Sequence, residues 1–162
     1  MDNKKRDTYG LIGKKLSHSF SSQYFSRKFE DEHIDAEYLN FELPTIDQLK
    51  DIIASHPTLK GLNVTIPYKE EVIPLLDELS PEAEAIGAVN VIKIEHLSDG
   101  SVRLIGHNTD VIGFRESIRP LLTSNHTKAL ILGTGGASKA VEHALRALDI
   151  KVQFVSRSHD KS

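Results

Sequence analysis

A chain of 162 residues, 39% hydrophobic and 27% charged, has room for one ordinary domain or two small ones and is too apolar for a disordered segment. Its net charge of −3, with no basic run beyond Lys4-Lys5-Arg6, argues against nucleic acid as a partner, because neutralising phosphates takes a dense Lys/Arg surface. Having no cysteine, it excludes disulfides, thiolate metal sites and cysteine nucleophiles; with no apolar run near the ~20 residues of a membrane helix and no signal-peptide core behind Asp7, a cytoplasmic location is expected.

Tyr9 to Gly13 reads as a short buried strand bounded by glycines, and the spacing of Phe20, Tyr24, Phe25 and Phe29 predicts a helix from Ser19 to Ile34 with these rings on one face. Ala36 to Leu43 reads as a second strand. Thr45 with Gln48 three residues on predicts a capping box opening a helix whose stripe is Ile46, Leu49, Ile52 and Ile53 and whose end is His56-Pro57. A third strand runs over Leu62 to Val64, and Pro67 suits the first turn of the helix after it. Ala88 to Glu95 and Val102 to Gly106 form strands joined around Ser98-Asp99-Gly100.

A helix from Thr109 to Leu122 carries Val111, Phe114, Ile118 and Leu121 on one side, and the polar Thr123-Ser124-Asn125-His126 marks a domain junction. Then come a buried strand, Ala129 to Leu132, the turn Gly133-Thr134-Gly135-Gly136-Ala137, a helix with Val141, Ala144, Leu145 and Leu148 inward, and a strand from Val152 to Val155. The alternation defines an α/β fold with a mostly parallel sheet and helices on both faces. A single βαβ unit at the end leaves open sheet edges, so the chain is read as the N-terminal portion of a longer protein, and its edges invite pairing as a homodimer.

Three clusters carry chemistry. Gly133-x-Gly135, between a strand and a helix, is the context in which backbone amides cradle a pyrophosphate, although Ser138 stands where a third glycine is usual; the bland alternative is a tight turn. After the next strand, Ser156-Arg157-Ser158 offers a guanidinium and hydroxyls where an acid would grip the ribose of NAD, which favours NADP; the alternative is a solvated loop cation. Lys69, closing Asn63-Val64-Thr65-Ile66-Pro67-Tyr68-Lys69, and Asp110, closing Asn108-Thr109-Asp110, can together shuttle a proton while a hydride moves; the bland alternatives are a plain helix cation and an acid in a first helical turn. Ser19 and Ser21 are either helix caps or carboxylate ligands, and Asn90 lies among apolar neighbours where a bare amide is costly. All these residues fall near strand ends, where open α/β sheets bind ligands.

Gly10-Leu11-Ile12-Gly13 with His18-Ser19-Phe20-Ser21, Asn63 to Lys69, Gly87-Ala88-Val89-Asn90, Gly106 to Asp110, and Gly133 to Ala137 closely resemble shikimate dehydrogenase, in order and spacing, over almost the whole chain. The resemblance implies reversible NADP-linked reduction of 3-dehydroshikimate to shikimate. It implies that Ser19 and Ser21 hold the substrate carboxylate, that Thr65, Asn90 and Asp110 bind its ring hydroxyls, and that Asn63 shapes the pocket. Lys69 and Asp110 are the implied catalytic pair. Gly133, Gly135, Gly136 and Ala137 cradle the pyrophosphate, Ser156, Arg157 and Ser158 take the 2′-phosphate, and no metal is required. Residues 1–107 become a substrate domain, 108–124 a connecting helix and linker, and 125–162 the start of a Rossmann NADP-binding domain.

The chain departs from the family pattern at Lys14-Lys15, where a residue followed by proline is common, and at Ser156, where asparagine is common. Two other readings stay open: a quinate/shikimate dehydrogenase using NAD, against which Arg157 speaks, and a shikimate-binding fragment without catalysis.

Overall fold

The glycine-bounded segment near the N-terminus is strand β1 (Asp7–Gly13) of a computed structural model that describes residues 6–16 and 19–156. It is followed by α1 (Phe20–Asp31), β2 (Ala36–Glu42), α2 (Leu49–Ser55), β3 (Leu59–Val64), α3 (Tyr68–Glu71), β4 (Glu78–Leu79), α4 (Pro81–Ile86), β5 (Val91–His96) and β6 (Val102–His107). Their six strands form one sheet in the order β2-β1-β3-β5-β6-β4. β1 pairs parallel with β2 and β3 and β4 parallel with β6, while β5 runs antiparallel to both its neighbours. Helix α5 (Asp110–Ile118) leads to β7 (Lys128–Leu132), α6 (Gly136–Arg146) and β8 (Lys151–Val155), and β7 and β8 pair parallel as a second, two-stranded sheet.

Alternation along β1 sends successive side chains to opposite faces. Ile12 joins Leu49, Leu62, Val64, Tyr68, Val72 and Ile92 in the main core, and Leu11 joins Phe29, Ala36 and Tyr38 beneath α1. Each fully buried Leu or Ile contributes on the order of 1.5–3 kcal/mol, an upper figure because the unfolded chain already hides some apolar surface. A third cluster, of Ile86, Ala88, Val111, Ala140 and Ala144, joins α4, α5 and α6, so the small residues of α6 let the βαβ unit seat directly on the first sheet's helices.

Several expectations need correction. The strand at 129–132 is not buried throughout: Ile131 is covered by α6, but Leu130 and Leu132 are 66% and 81% exposed, since a two-stranded sheet with a helix on one face leaves the other open. Of the aromatic face of α1, only Phe29 is buried; Phe20 and Tyr24 are exposed and stack on each other, because α1 lies over the β1–β2 edge alone. Thr45 makes no capping bond: residues 46–48 form a 3-10 turn, and α2 begins only at Leu49. Pro67 sits at the N-cap of α3 instead of in its first turn. Leu121 is exposed because α5 ends at Ile118 and a 3-10 turn containing Pro120 swings it outward.

Helix α4 went unread, although its signals are local. Ser80 caps it by accepting from the Ala83 amide at 3.2 Å, Pro81 opens it, and Gly87 closes it at φ 67°.

Candidate active site

The carboxyl ends of β1, β3 and β6 and the start of the antiparallel β5 lie along one edge of the sheet, and the loops leaving them carry the polar motifs. The turn after β3 is pinned by its backbone: the Thr65 amide donates to Ile12 O at 3.0 Å and the Tyr68 amide to Thr65 O at 3.0 Å. The Tyr68 hydroxyl donates to Leu43 O, and its ring is buried. Tyr68 therefore anchors α3 from below while Lys69 turns toward α5, its own carbonyl accepting from the Val89 amide at 2.7 Å.

Lys69 Nζ lies 2.5 Å from Asp110 Oδ2, with the lysine side chain 16% and the carboxylate 36% exposed. The other carboxylate oxygen accepts from Asn90 Nδ2 at 2.8 Å. Asn90 stands just before β5, not inside it, and is buried. Its second amide hydrogen goes to Thr109 Oγ1 at 3.0 Å and its Oδ1 accepts from the Thr109 amide at 2.8 Å, which answers the cost of burying a bare amide. Asn108, also buried, donates to Ala88 O at 2.9 Å and accepts from the Val111 amide at 3.3 Å, so it caps the start of α5 from the neighbouring loop. Asp110 then sits in the first helical turn, where the dipole favours a negative charge. The result is a half-buried ion pair open to solvent on one side, its carboxylate oriented by an amide that is itself fixed at three points.

Ser19 is the N-cap of α1 and accepts from the Ser22 amide at 3.4 Å, so the capping role holds for it. It also lines a hollow of about 360 Å³ with Ser21, Thr65, Leu11 and Lys15. Asn63, near the end of β3 and two residues before Thr65, accepts from the Tyr38 hydroxyl at 2.7 Å. Burial pushes the Tyr38 phenol up from its ordinary value, partly offset by a hydrogen bond with Ser21. Asn63 and Tyr38 line a second, apolar hollow of similar size, with Tyr9, Phe25 and Phe29.

At the glycine turn, Gly133 adopts φ 117°, a conformation that L side chains rarely take, and its amide donates to Val155 O at 3.0 Å. Gly135 is the N-cap of α6 with no side-chain cap, and nothing lies within 4 Å of where its Cβ would be. Gly136 differs: a Cβ there would stand 3.1 Å from Lys69 Cβ and 3.3 Å from Ala88 Cβ, so this glycine lets the helix start press onto the lysine. Next to it, Lys139 Nζ meets Glu70 Oε2 at 2.6 Å. Ala137 follows in the first turn of α6, and Ser156 leaves β8 half-buried. An open helix N-terminus with an unfilled cradle at Gly135 fits a dinucleotide's phosphates. His18, Arg157 and Ser158 lie outside the described residues. Thr109, Asn108 and Tyr38 had no assigned role in the sequence; adjacency to Asp110 was the only signal for the first two.

Fold and site together define an α/β protein with a polar cluster at its strand ends and a Rossmann-like βαβ unit packed beside it. Residues 11–92, 82 of the 162, match the shikimate dehydrogenase substrate binding domain, and the chain belongs to the shikimate dehydrogenase family. The shikimate dehydrogenase (NADP(+)) of Aquifex aeolicus is 39% identical over 165 residues, covering 100% of this chain and 59% of its own length. The structure of shikimate 5-dehydrogenase from Thermus thermophilus in complex with NADP(H) and shikimate superposes with a TM-score of 0.81 at 31% identity, over 96% of this chain and 57% of that one. Quinate dehydrogenase from Corynebacterium glutamicum in complex with NAD gives 0.82 at 29% identity, over 96% and 57%. The chain spans 49–59% of the length of the first curated relatives it matches.

Proposed function

We propose that this chain carries the substrate pocket and proton-transfer pair of an NADP-linked shikimate dehydrogenase, which interconverts 3-dehydroshikimate and shikimate. The observation that carries the reading is the Lys69–Asp110 pair at 2.5 Å, its carboxylate held on the other side by Asn90. In this reading residues 1–107 form the substrate domain, 108–124 the connection, and 125–162 the start of the nucleotide domain.

Ser19 and Ser21 receive the carboxylate at the start of α1, where the helix dipole favours an anion without a buried counter-charge. Thr65, Asn90 and Asp110 take ring hydroxyls, and Asn63 shapes the pocket around them. Gly133, Gly135, Gly136 and Ala137 hold the pyrophosphate, with Ser156, Arg157 and Ser158 at the 2′-phosphate. NADP, when bound, supplies the hydride chemistry. The protein handles the proton. During reduction the substrate oxygen gains negative charge, which the Lys69 ammonium stabilises while giving up a proton to it; during oxidation the same pair receives the hydroxyl proton. Asp110 keeps Lys69 aimed at that oxygen, and the two exchange protons as a coupled unit.

The reading carries a cytoplasmic location. A homodimer is its assembly proposal, checked by sedimentation. Mixing the protein with shikimate and NADP⁺ should give steady nicotinamide reduction and calorimetric binding of both ligands. A protein that binds neither overturns the reading. The likeness to the NAD-bound quinate dehydrogenase sustains a second reading, and faster turnover of quinate with NAD would decide for it.

A further inference from the structure

We propose that Tyr38 is a positioning residue of the substrate pocket, which fixes the Asn63 amide so that its Nδ2 hydrogens face the ligand. The inference rests on the shikimate reading above and adds a residue to it. An amide side chain has two faces of opposite chemistry, an acceptor oxygen and a donor nitrogen, and nothing intrinsic tells it which to present. Here the Tyr38 hydroxyl donates to Asn63 Oδ1 at 2.7 Å, and Nδ2 has no protein partner among the described residues. Asn63 therefore offers a donor to the hollow that it lines with Tyr38, matched to a hydroxyl or carboxylate oxygen.

Tyr38 is itself rigid. It lies on the middle of β2, is 7% exposed, and its ring stacks on Phe25 at 4.9 Å and 12°. Burial keeps the phenol protonated at any ordinary pH, so it remains a donor and never becomes the acceptor that would reverse the amide. The same oxygen also engages Ser21. Through Asn63, Tyr38 ties β2 to β3 at a separation of 25 residues.

The test is shikimate titration of the wild type, Tyr38→Phe, Asn63→Asp and the double variant by calorimetry, with NADP⁺ titration alongside. Tyr38→Phe keeps the stacked ring and removes only the donor. It should weaken shikimate about tenfold and leave NADP⁺ affinity within about twofold, as the loss of one oriented hydrogen bond implies. The double variant should bind no more weakly than Asn63→Asp alone, because Tyr38 acts through Asn63. Unchanged shikimate affinity in Tyr38→Phe, equal losses for both ligands, or full additivity in the double variant each overturns the proposal. If Tyr38→Phe fails to fold, Asn63→Leu takes its place, and undiminished shikimate affinity there has the same force. A wild-type protein that binds no shikimate overturns the functional reading itself, and this inference with it.

Discussion

Lys69 is useful only because other groups hold it in place. Its Nζ meets Asp110, Asp110 is held by Asn90, and Asn90 is tied to Thr109 through both its amide and its carbonyl. On the proposed mechanism Lys69→Ala removes the proton-transfer group and leaves Asp110 36% exposed and still bonded to Asn90, so turnover should fall by ~10²–10⁴-fold while the melting temperature stays near wild type. Near-normal turnover would take Lys69 out of the mechanism. Asn90→Ala acts differently, because it strands the Thr109 amide next to a buried site. It should lower unfolding free energy by about 1–3 kcal/mol and reduce turnover together, measured by urea titration and rate assay. Lys69 and Asp110 were legible in the sequence because each closes a contiguous polar motif at a strand end. The Asn90–Asp110 bond was not, since it depends on how the loops before β5 and after β6 meet. Tyr38 was invisible for another reason: an aromatic in an alternating strand reads as core, and its hydroxyl's partner lies 25 residues away.

Among the elements, α6 shows two uses of glycine side by side. Gly136 presses on Lys69 and Ala88, whose Cβ atoms belong to packed backbone and cannot swing away. Gly136→Val should therefore lift the helix start off the site, costing ~1–3 kcal/mol of stability from overpacking and lowering turnover with it. Gly135 has open space and extended backbone, φ −82° and ψ 179°, so Gly135→Ala should leave unfolding within ~0.5 kcal/mol of wild type. If the turn cradles pyrophosphate, the same variant weakens NADP⁺; equal affinity would return this glycine to being a plain turn residue. Helical spacing of apolar residues located α1, α2, α5 and α6, and short apolar runs bounded by turn residues located the strands β1, β2, β3, β5, β6, β7 and β8. The reading of 129–132 as buried failed at Leu130 and Leu132, and the shared faces of Phe20 and Leu121 did not reveal their exposure, since coverage is decided by neighbouring elements and not by the segment itself. Helix α4 is too short to show a period, and only its cap and glycine could have announced it.

At the scale of the whole molecule, the two sides of the first sheet are each tied down by a tyrosine whose hydroxyl is engaged. Tyr68 bonds to Leu43 O within the main core, and Tyr38 bonds to Asn63 under α1. Burial raises both phenols above the ordinary value; in Tyr38 the Ser21 hydrogen bond partly opposes it, and in Tyr68 the charge of Glu71 adds to it. Below pH ~10 the folded and unfolded chains hold these protons alike, and the stabilisation is fully present. Above that, the unfolded chain releases protons that the folded chain keeps, so it binds fewer and unfolding becomes more favourable as pH rises. The urea midpoint should therefore be level with respect to these two groups up to about pH 9 and fall beyond about pH 10, continuing until the folded phenols themselves ionise. Because lysines titrate in the same range, the difference between variants carries the test. Tyr38→Phe and Tyr68→Phe should each flatten the alkaline slope, and the double variant should flatten it further, whatever their absolute stabilities. A variant whose slope matches wild type would mean that its phenol ionises equally in both states, and that its side of the sheet opens to solvent before the rest of the fold gives way.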